Sequence, residues 1–300
     1  SHEEPLHPRP PSPAPPAVKK RSSSDLALRL GTAAVLIPGV LWLIAAGPGY
    51  VLVAVVAIVL LGIREFYHLI EAKGAQPLWS FGLGAGAALP VVAYLGNEYH
   101  ATILMTAVLL AVMVAQVGKA QITEALASIS GTFFGVFYVG WLLTHAVTLR
   151  NFQRVVDAKW GAAASSLFDP NSGAFLLIFT LTAVVLCDAG AYFAGRAWGK
   201  RKLAPKISPG KTVEGALGGI AAGTLAALAC KGVFDLFWPD LSRGMPWALA
   251  APIGLLLSTA GMVGDLVESL LKRDAAQKDA GSLLPGMGGV LDRIDSALLA

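Results

Sequence analysis

Residues 175–200 read FLLIFTLTAVVLCDAGAYFAGRAWGK. The stretch begins as near-continuous hydrocarbon, carries one carboxylate at Asp188, and closes on Arg196 and Lys200. A helix needs about 20 mostly apolar residues to cross a bilayer, and residues 173–195 supply them. An acid inside such a span costs several kcal/mol unless it is paired or solvated, so by default it marks function. The competing reading of Asp188 is a structural pair with Arg196 or a neighbouring helix.

Working outward from this segment, further spans are expected at 28–47, 50–70, 78–96, 100–117, 125–149, 213–237 and 247–270. Another apolar segment starts near residue 290 (GVLDRIDSALLA), where a last span is expected to begin. The fold class is therefore all-α: a polytopic integral membrane protein of about 8–9 transmembrane helices. Composition agrees. Only 14% of the 300 residues are charged, against about 25% in soluble domains. Such a chain cannot cover a water-facing surface, and its mean hydropathy of +0.63 fits a surface that faces lipid. The 33 glycines allow the close helix approach on which packing in a bilayer depends.

The chain divides into three regions. Residues 1–27 form a Pro-rich stretch that cannot build a core and is expected to be a disordered cytoplasmic tail. Residues 28–150 are apolar spans with few charges, and residues 151–300 hold the costly polar groups. With the tail in the cytoplasm and the spans alternating, eighteen of the 23 Lys and Arg residues fall on the cytoplasmic side. One missed helix would flip the loops that follow it, so this asymmetry supports the count. Trp79, Tyr99, Trp238 and Trp247 lie near span ends, as interfacial anchors do. Cys187 and Cys230 sit in apolar runs without CxxC spacing and read as buried reduced thiols. The five histidines form no close pair, so no zinc site is expected.

Two further segments carry chemistry. Residues 195–215, GRAWGKRKLAPKISPGKTVEG, hold six cations, stiffened by Pro205 and Pro209, and lead into a helix N-terminus. Backbone N–H groups and the dipole favour phosphate there, and Ser208, Lys211 and Thr212 are the candidate ligands. It is not a P-loop, because the position that motif reserves for glycine is Pro205. A basic loop beside a membrane can also be a topology signal or an anionic-lipid contact.

The other segment is 264–296, GDLVESLLKRDAAQKDAGSLLPGMGGVLDRIDS. Asp265 and Glu268 are i, i+3 on one helical face, Lys272 follows Glu268 at i+4, and Asp292 and Asp295 are again i, i+3. Two carboxylate pairs on facing helices suit a hard divalent cation. Mg²⁺ takes one or two carboxylates and completes its shell with water and phosphate. Surface salt bridges around a solvated loop are the alternative. They are worth only a few tenths of a kcal/mol and leave unexplained why the acids sit between apolar runs.

Ser269 to Arg273, Lys278-Asp279 and Pro285-Gly-Met-Gly-Gly-Val-Leu-Asp292-Arg293-Ile-Asp295 together resemble the C-terminal signature of phosphatidate cytidylyltransferases (CDP-diacylglycerol synthases). The segments Asp188–Arg196 and Lys206–Gly215 resemble that family's preceding motifs. The likeness is close over 185–296 and extends to the N-terminal half only as a string of spans. One position departs from the pattern, Met287 standing where the family often has His, which puts a general-base role there in doubt.

The resemblance implies a bacterial inner-membrane, multi-pass transferase, commonly a homodimer, working on the cytoplasmic side. It would move CMP from CTP to phosphatidic acid with Mg²⁺ at what would be two positions, and it would have no nucleic-acid partner. Asp265 and Asp292 match the family's metal-binding aspartates, with Glu268, Asp295 and Asp188 as further ligands or orienting groups. Lys272 and Arg273 join Asp265 and Asp292 as expected catalytic residues. Ser208, Lys211, Thr212, Lys278, Asp279 and Arg293 are the expected substrate contacts. The alternatives are a CTP-dependent lipid kinase, which would release CDP, a CDP-alcohol phosphatidyltransferase, whose D-G-x2-A-R pattern is absent, and a transporter of anions, whose site would lie at mid-membrane between repeats.

Overall fold

The computed structural model describes residues 23–95, 98–119, 123–281 and 288–300. Residues 1–22 of the expected 1–27 tail, and Pro285, Gly286 and Met287 of the C-terminal signature, lie outside them.

Helix α1 (Ser23–Ala46) is followed by α2 (Pro48–Ala72), α3 (Trp79–Tyr94) and α4 (Glu98–Val117). α1 starts within the expected tail, at a Ser-Ser-Asp run of the kind that opens helices. α5 (Ala125–Gly135) runs through a π-turn at Val136–Trp141 into α6 (Leu142–Arg150). Two short helices, α7 (Phe152–Trp160) and α8 (Ala162–Ser165), lead to α9 (Ser172–Trp198). After α9 come α10 (Val213–Phe237), the short α11 (Pro239–Ser242), α12 (Trp247–Asp274) and α13 (Leu291–Leu299).

Each of the eight expected spans is helical. Among the described residues six helices are long and apolar enough to cross a membrane, and Ala34–Ala46 and Trp79–Tyr94 form shorter apolar helices. The basic loop does not remain a plain loop. Lys202–Ala204 (β1) and Ser208–Thr212 (β2) pair antiparallel, with Lys202 opposite Thr212 and Ala204 opposite Ser208.

Two cores set the position of the site. In the N-terminal half Val51, Val55, Val59 and Ile63 of α2 repeat at i+4 and are buried with Phe66 and Tyr67. This is the stripe a helix presents to its neighbours. The Tyr67 hydroxyl donates to Thr132 O at 2.8 Å, tying α2 to α5. In the C-terminal half α10 buries Gly215, Gly219, Gly223, Ala227 and Lys231 at strict i+4 spacing, so its contact face is almost bare backbone. A methyl on Gly219 would sit 2.7 Å from Cys187 O of α9. In lipid, where water does not drive helices together, such close backbone approach supplies the packing.

Opposite ends of the bundle are tied differently. At one end Arg150 of α6 is buried and donates to Ile44 O of α1 at 2.9 Å. At the other end the last turn of α2, the C-terminal ends of α9 and α12, the hairpin and α13 come together. Lys73 pairs with Asp274 there at 3.0 Å.

Candidate functional site

The hairpin begins the site. Glu214, in the first turn of α10, accepts from the backbone N–H groups of Lys200 (3.0 Å) and Arg201 (3.1 Å) and from Arg201 Nε (3.3 Å). The Thr212 hydroxyl caps α10 by accepting from Gly215 N at 3.1 Å. Arg273 of α12 donates through Nε to Ile207 O at 3.3 Å. Three side chains therefore fix a segment that composition alone leaves as a solvated loop.

Beneath the hairpin lies a cavity of about 540 Å³ lined by Asp188, Tyr192, Arg196, Ser208, Lys211, Thr212 and Asp265, among others. Lys211 Nζ lies 2.5 Å from Asp265 Oδ2 and forms the cavity's inner wall. Behind that pair is a second cluster. Lys272 Nζ stands between Glu268 Oε2 (2.9 Å) and Asp292 Oδ1 (2.7 Å). Asp292 also accepts from Gly289 N at 2.8 Å and from Ala280 N at 3.1 Å. Glu268 is wholly buried, on the face of α12 that carries Gly254, Ser258, Gly261 and Gly264. Gly264 brings α13 against this face: a Cβ there would meet Asp295 O at 2.5 Å. Gly288 adopts a left-handed φ of +87°, and a Cβ on it would lie 2.8 Å from Asp292 Oδ2. The turn into α13 is thus built around the Asp292 carboxylate.

The expected residues therefore fall into groups. Asp188, Ser208, Lys211, Thr212 and Asp265 share the cavity, and Glu268, Lys272 and Asp292 form the connected cluster behind it. Asp295 is on α13, half-buried, its carboxylate accepting from Ser296 N at 2.7 Å. Arg273 tethers the hairpin through Ile207 O and donates also to Gln277 O. Lys278, Asp279 and Arg293 are exposed. Sequence reasoning missed Glu65 of α2, which is buried and accepts from Val290 N and Leu291 N. The sequence carries only a blunted signal for it, an acid in an apolar run that lies beside Arg64 near the end of its span.

Among the described residues no three His, Cys, Asp or Glu side chains are gathered closely enough to hold a metal ion as they stand. The donors nonetheless suit a hard cation. They are all carboxylates, and buried like charges require a compensating positive charge. Lysine ammonium groups occupy that role at both acid groups. Lys211 Nζ and the Glu268 carboxylate are buried, and the polar partners they have are the charged groups of Asp265 and Lys272, so a cation bound here would share these carboxylates with the two lysines.

Comparison with known proteins gives a consistent picture. Residues 27–300 match a model described as the cytidylyltransferase family. A phosphatidate cytidylyltransferase of Synechocystis is 32% identical over 268 residues, covering 85% of this chain and 86% of that protein. Chloroplastic phosphatidate cytidylyltransferase 5 of Arabidopsis thaliana is 31% identical over 294 residues, 93% of this chain and 68% of the relative. A phosphatidate cytidylyltransferase of Haemophilus influenzae is 46% identical over 134 residues, 44% of this chain and 45% of that protein.

Proposed function

Given that the chain belongs to the phosphatidate cytidylyltransferase (CDP-diacylglycerol synthase) family, we propose which of its residues carry the family's reaction. The protein transfers CMP from CTP to phosphatidic acid, giving CDP-diacylglycerol and pyrophosphate. A lipid phosphate oxygen attacks the α-phosphorus of CTP, and the bond to the bridging oxygen of the β-phosphate breaks as pyrophosphate leaves. A phosphate monoester has its second pKa near 6, so the nucleophile is already largely dianionic at neutral pH and needs no general base. The difficulty is to bring two polyanions together.

The chain's own groups address that difficulty. Lys211 faces the cavity with Ser208 and Thr212, and in this reading they hold phosphate oxygens at the start of α10, where the helix dipole assists. Lys272 keeps Glu268 and Asp292 in place, and Arg273 holds the hairpin over the site. Lys278, Asp279 and Arg293, on the exposed rim, are assigned to the approaching nucleotide. Asp265 and Asp292, supported by Glu268, Asp295 and Asp188, would hold Mg²⁺ at two positions, one at each acid group. Bound there, Mg²⁺ would neutralise phosphate oxygens and stabilise the leaving pyrophosphate. The same reading makes the protein a homodimer of eight- or nine-span subunits in the bacterial inner membrane, with the hairpin and α13 on the cytoplasmic side.

One observation carries this assignment: Lys211 and Asp265, distant in sequence, meet at the wall of a single cavity that also takes in Asp188, Ser208 and Thr212. The test is turnover by purified protein in detergent–lipid micelles with phosphatidic acid, α-labelled CTP and Mg²⁺. Label should enter the lipid with release of pyrophosphate, and EDTA should stop it. Asp292→Asn should abolish turnover while the protein stays folded by thermal unfolding in detergent. Wild-type rates in that variant would remove Asp292 from the site, and release of CDP in place of pyrophosphate would point to a lipid kinase.

A further inference from the structure

Glu65 lies in α2, in the half of the chain that looks like scaffold, and is 7% exposed. Its Oε1 accepts from Val290 N at 3.0 Å and its Oε2 from Leu291 N at 2.8 Å, across a separation of more than 220 residues. The preceding amide, Gly289 N, donates to Asp292. Three consecutive N–H groups at the start of α13 thus end on two carboxylates. These are the donors a helix leaves unpaired at its N-terminus, and a carboxylate there gains from charge-assisted bonding and from the dipole.

The fit around Glu65 is close on its other sides. A Cβ on Gly281 would lie 3.0 Å from Glu65 Cγ, and one on Gly289 would lie 2.8 Å from Oε1. Gly289 immediately precedes the first amides of α13. Because α13 is a nine-residue helix with Asp292 in its first turn, whatever fixes its first amides also fixes where the Asp292 carboxylate points.

We propose that Glu65 is a positioning residue of the transferase, clamping the start of α13 so that Asp292 meets Lys272 and faces the ion site. This rests on the reading of Asp292 as a metal-holding residue. It makes α2 part of the reaction machinery, although α2 supplies nothing that touches substrate.

Three variants test it in the same detergent as the wild type: Glu65→Gln, Glu65→Asp and Gly289→Ala, the last pressing a methyl group on the Glu65 carboxylate. Two quantities are read: hydrogen–deuterium exchange of the Val290 and Leu291 amides without Mg²⁺, and turnover across a Mg²⁺ titration. Folded Glu65→Gln should exchange these amides about tenfold faster, as local opening allows. It should also need several-fold more Mg²⁺ for half-maximal rate, and Glu65→Asp should recover part of both effects. A merely structural role would reduce the amount of folded enzyme and leave the Mg²⁺ half-saturation of the remainder unchanged. Wild-type exchange in Glu65→Gln, or fast exchange with an unchanged Mg²⁺ requirement, overturns the proposal. Should Glu65→Gln fail to fold, Gly289→Ala decides by the same two readouts. A wild type that turns over no CTP with phosphatidic acid counts against the functional reading instead, and the exchange data then judge the clamp alone.

Discussion

Lys272 is held between Glu268 and Asp292, and Lys211 against Asp265, so each acid group already has an ammonium ion where a divalent cation would neutralise the same oxygens. Of the two lysines, Lys211 is the one that lines the cavity. Lys211→Gln should keep the shape of the wall while removing a charge from the phosphate path. We expect kcat/KM for CTP to fall at least about tenfold, or ~1.4 kcal/mol of transition-state stabilisation. An unchanged value would place the triphosphate elsewhere. These residues were legible in the sequence because an acid or a lysine held beside a membrane span is expensive and so stands out. Glu65 was not, for a physical reason. It lies near the end of its span beside Arg64, where charge is cheap, and its partners are backbone amides, which every residue has and no sequence pattern marks. Lys278, Asp279 and Arg293 belong to the same signature as Asp292, yet they are exposed. Resemblance groups residues by motif, and only the fold separates those that line the site from those on its rim.

At the scale of single elements, the α9–α10 pair is the stiffest feature of the C-terminal half. Its contact face on α10 is glycine or alanine for four turns before Lys231, and any added side chain has to push the helices apart. Gly219→Val should therefore destabilise the protein by about 1–3 kcal/mol, the usual cost of overpacking. Residual activity after a heat challenge in detergent measures this, and an unaltered midpoint would mean that the pair is looser than its geometry. The helices themselves were readable from hydrophobic run length alone, which is why all eight expected spans are helical. The hairpin was not readable. β1 and β2 are short, with Pro205 just after β1 and Pro209 inside β2, and have none of the apolar alternation that marks a half-buried strand. What holds them is Glu214, Thr212 and Arg273, through contacts that exist only once α10 and α12 are in place. The π-turn at Val136–Trp141 likewise leaves no trace in an apolar run.

Over the whole molecule, α9 is long and apolar enough to cross a membrane, and a crossing there would put Arg154 and Lys206 on opposite sides. With Cys187 and Cys230 replaced by alanine, Arg154→Cys and Lys206→Cys should react with a membrane-impermeant maleimide from opposite faces of sealed vesicles. Labelling of both from one face would overturn the span count between them. The site draws on both halves of the chain, since Glu65 of α2, Lys211 of the hairpin and Asp292 of α13 all converge at one end of the bundle. The cavity's own walls are of two kinds. Asp188, Ala191 and Tyr192 belong to a membrane helix whose neighbouring Phe193 and Trp198 project outward, 68% and 71% exposed, whereas Ser208 and Lys211 belong to a polar hairpin. In the proposed reading, a chamber with one wall of each kind would stand at the meeting of two solvents, open to either. Lifting a diacyl lipid into water would cost about 0.8 kcal/mol for every methylene exposed, and drawing a triphosphate into hydrocarbon would cost far more. Neither journey is required when each reactant stays in the phase that dissolves it and only the two phosphates cross the boundary to meet.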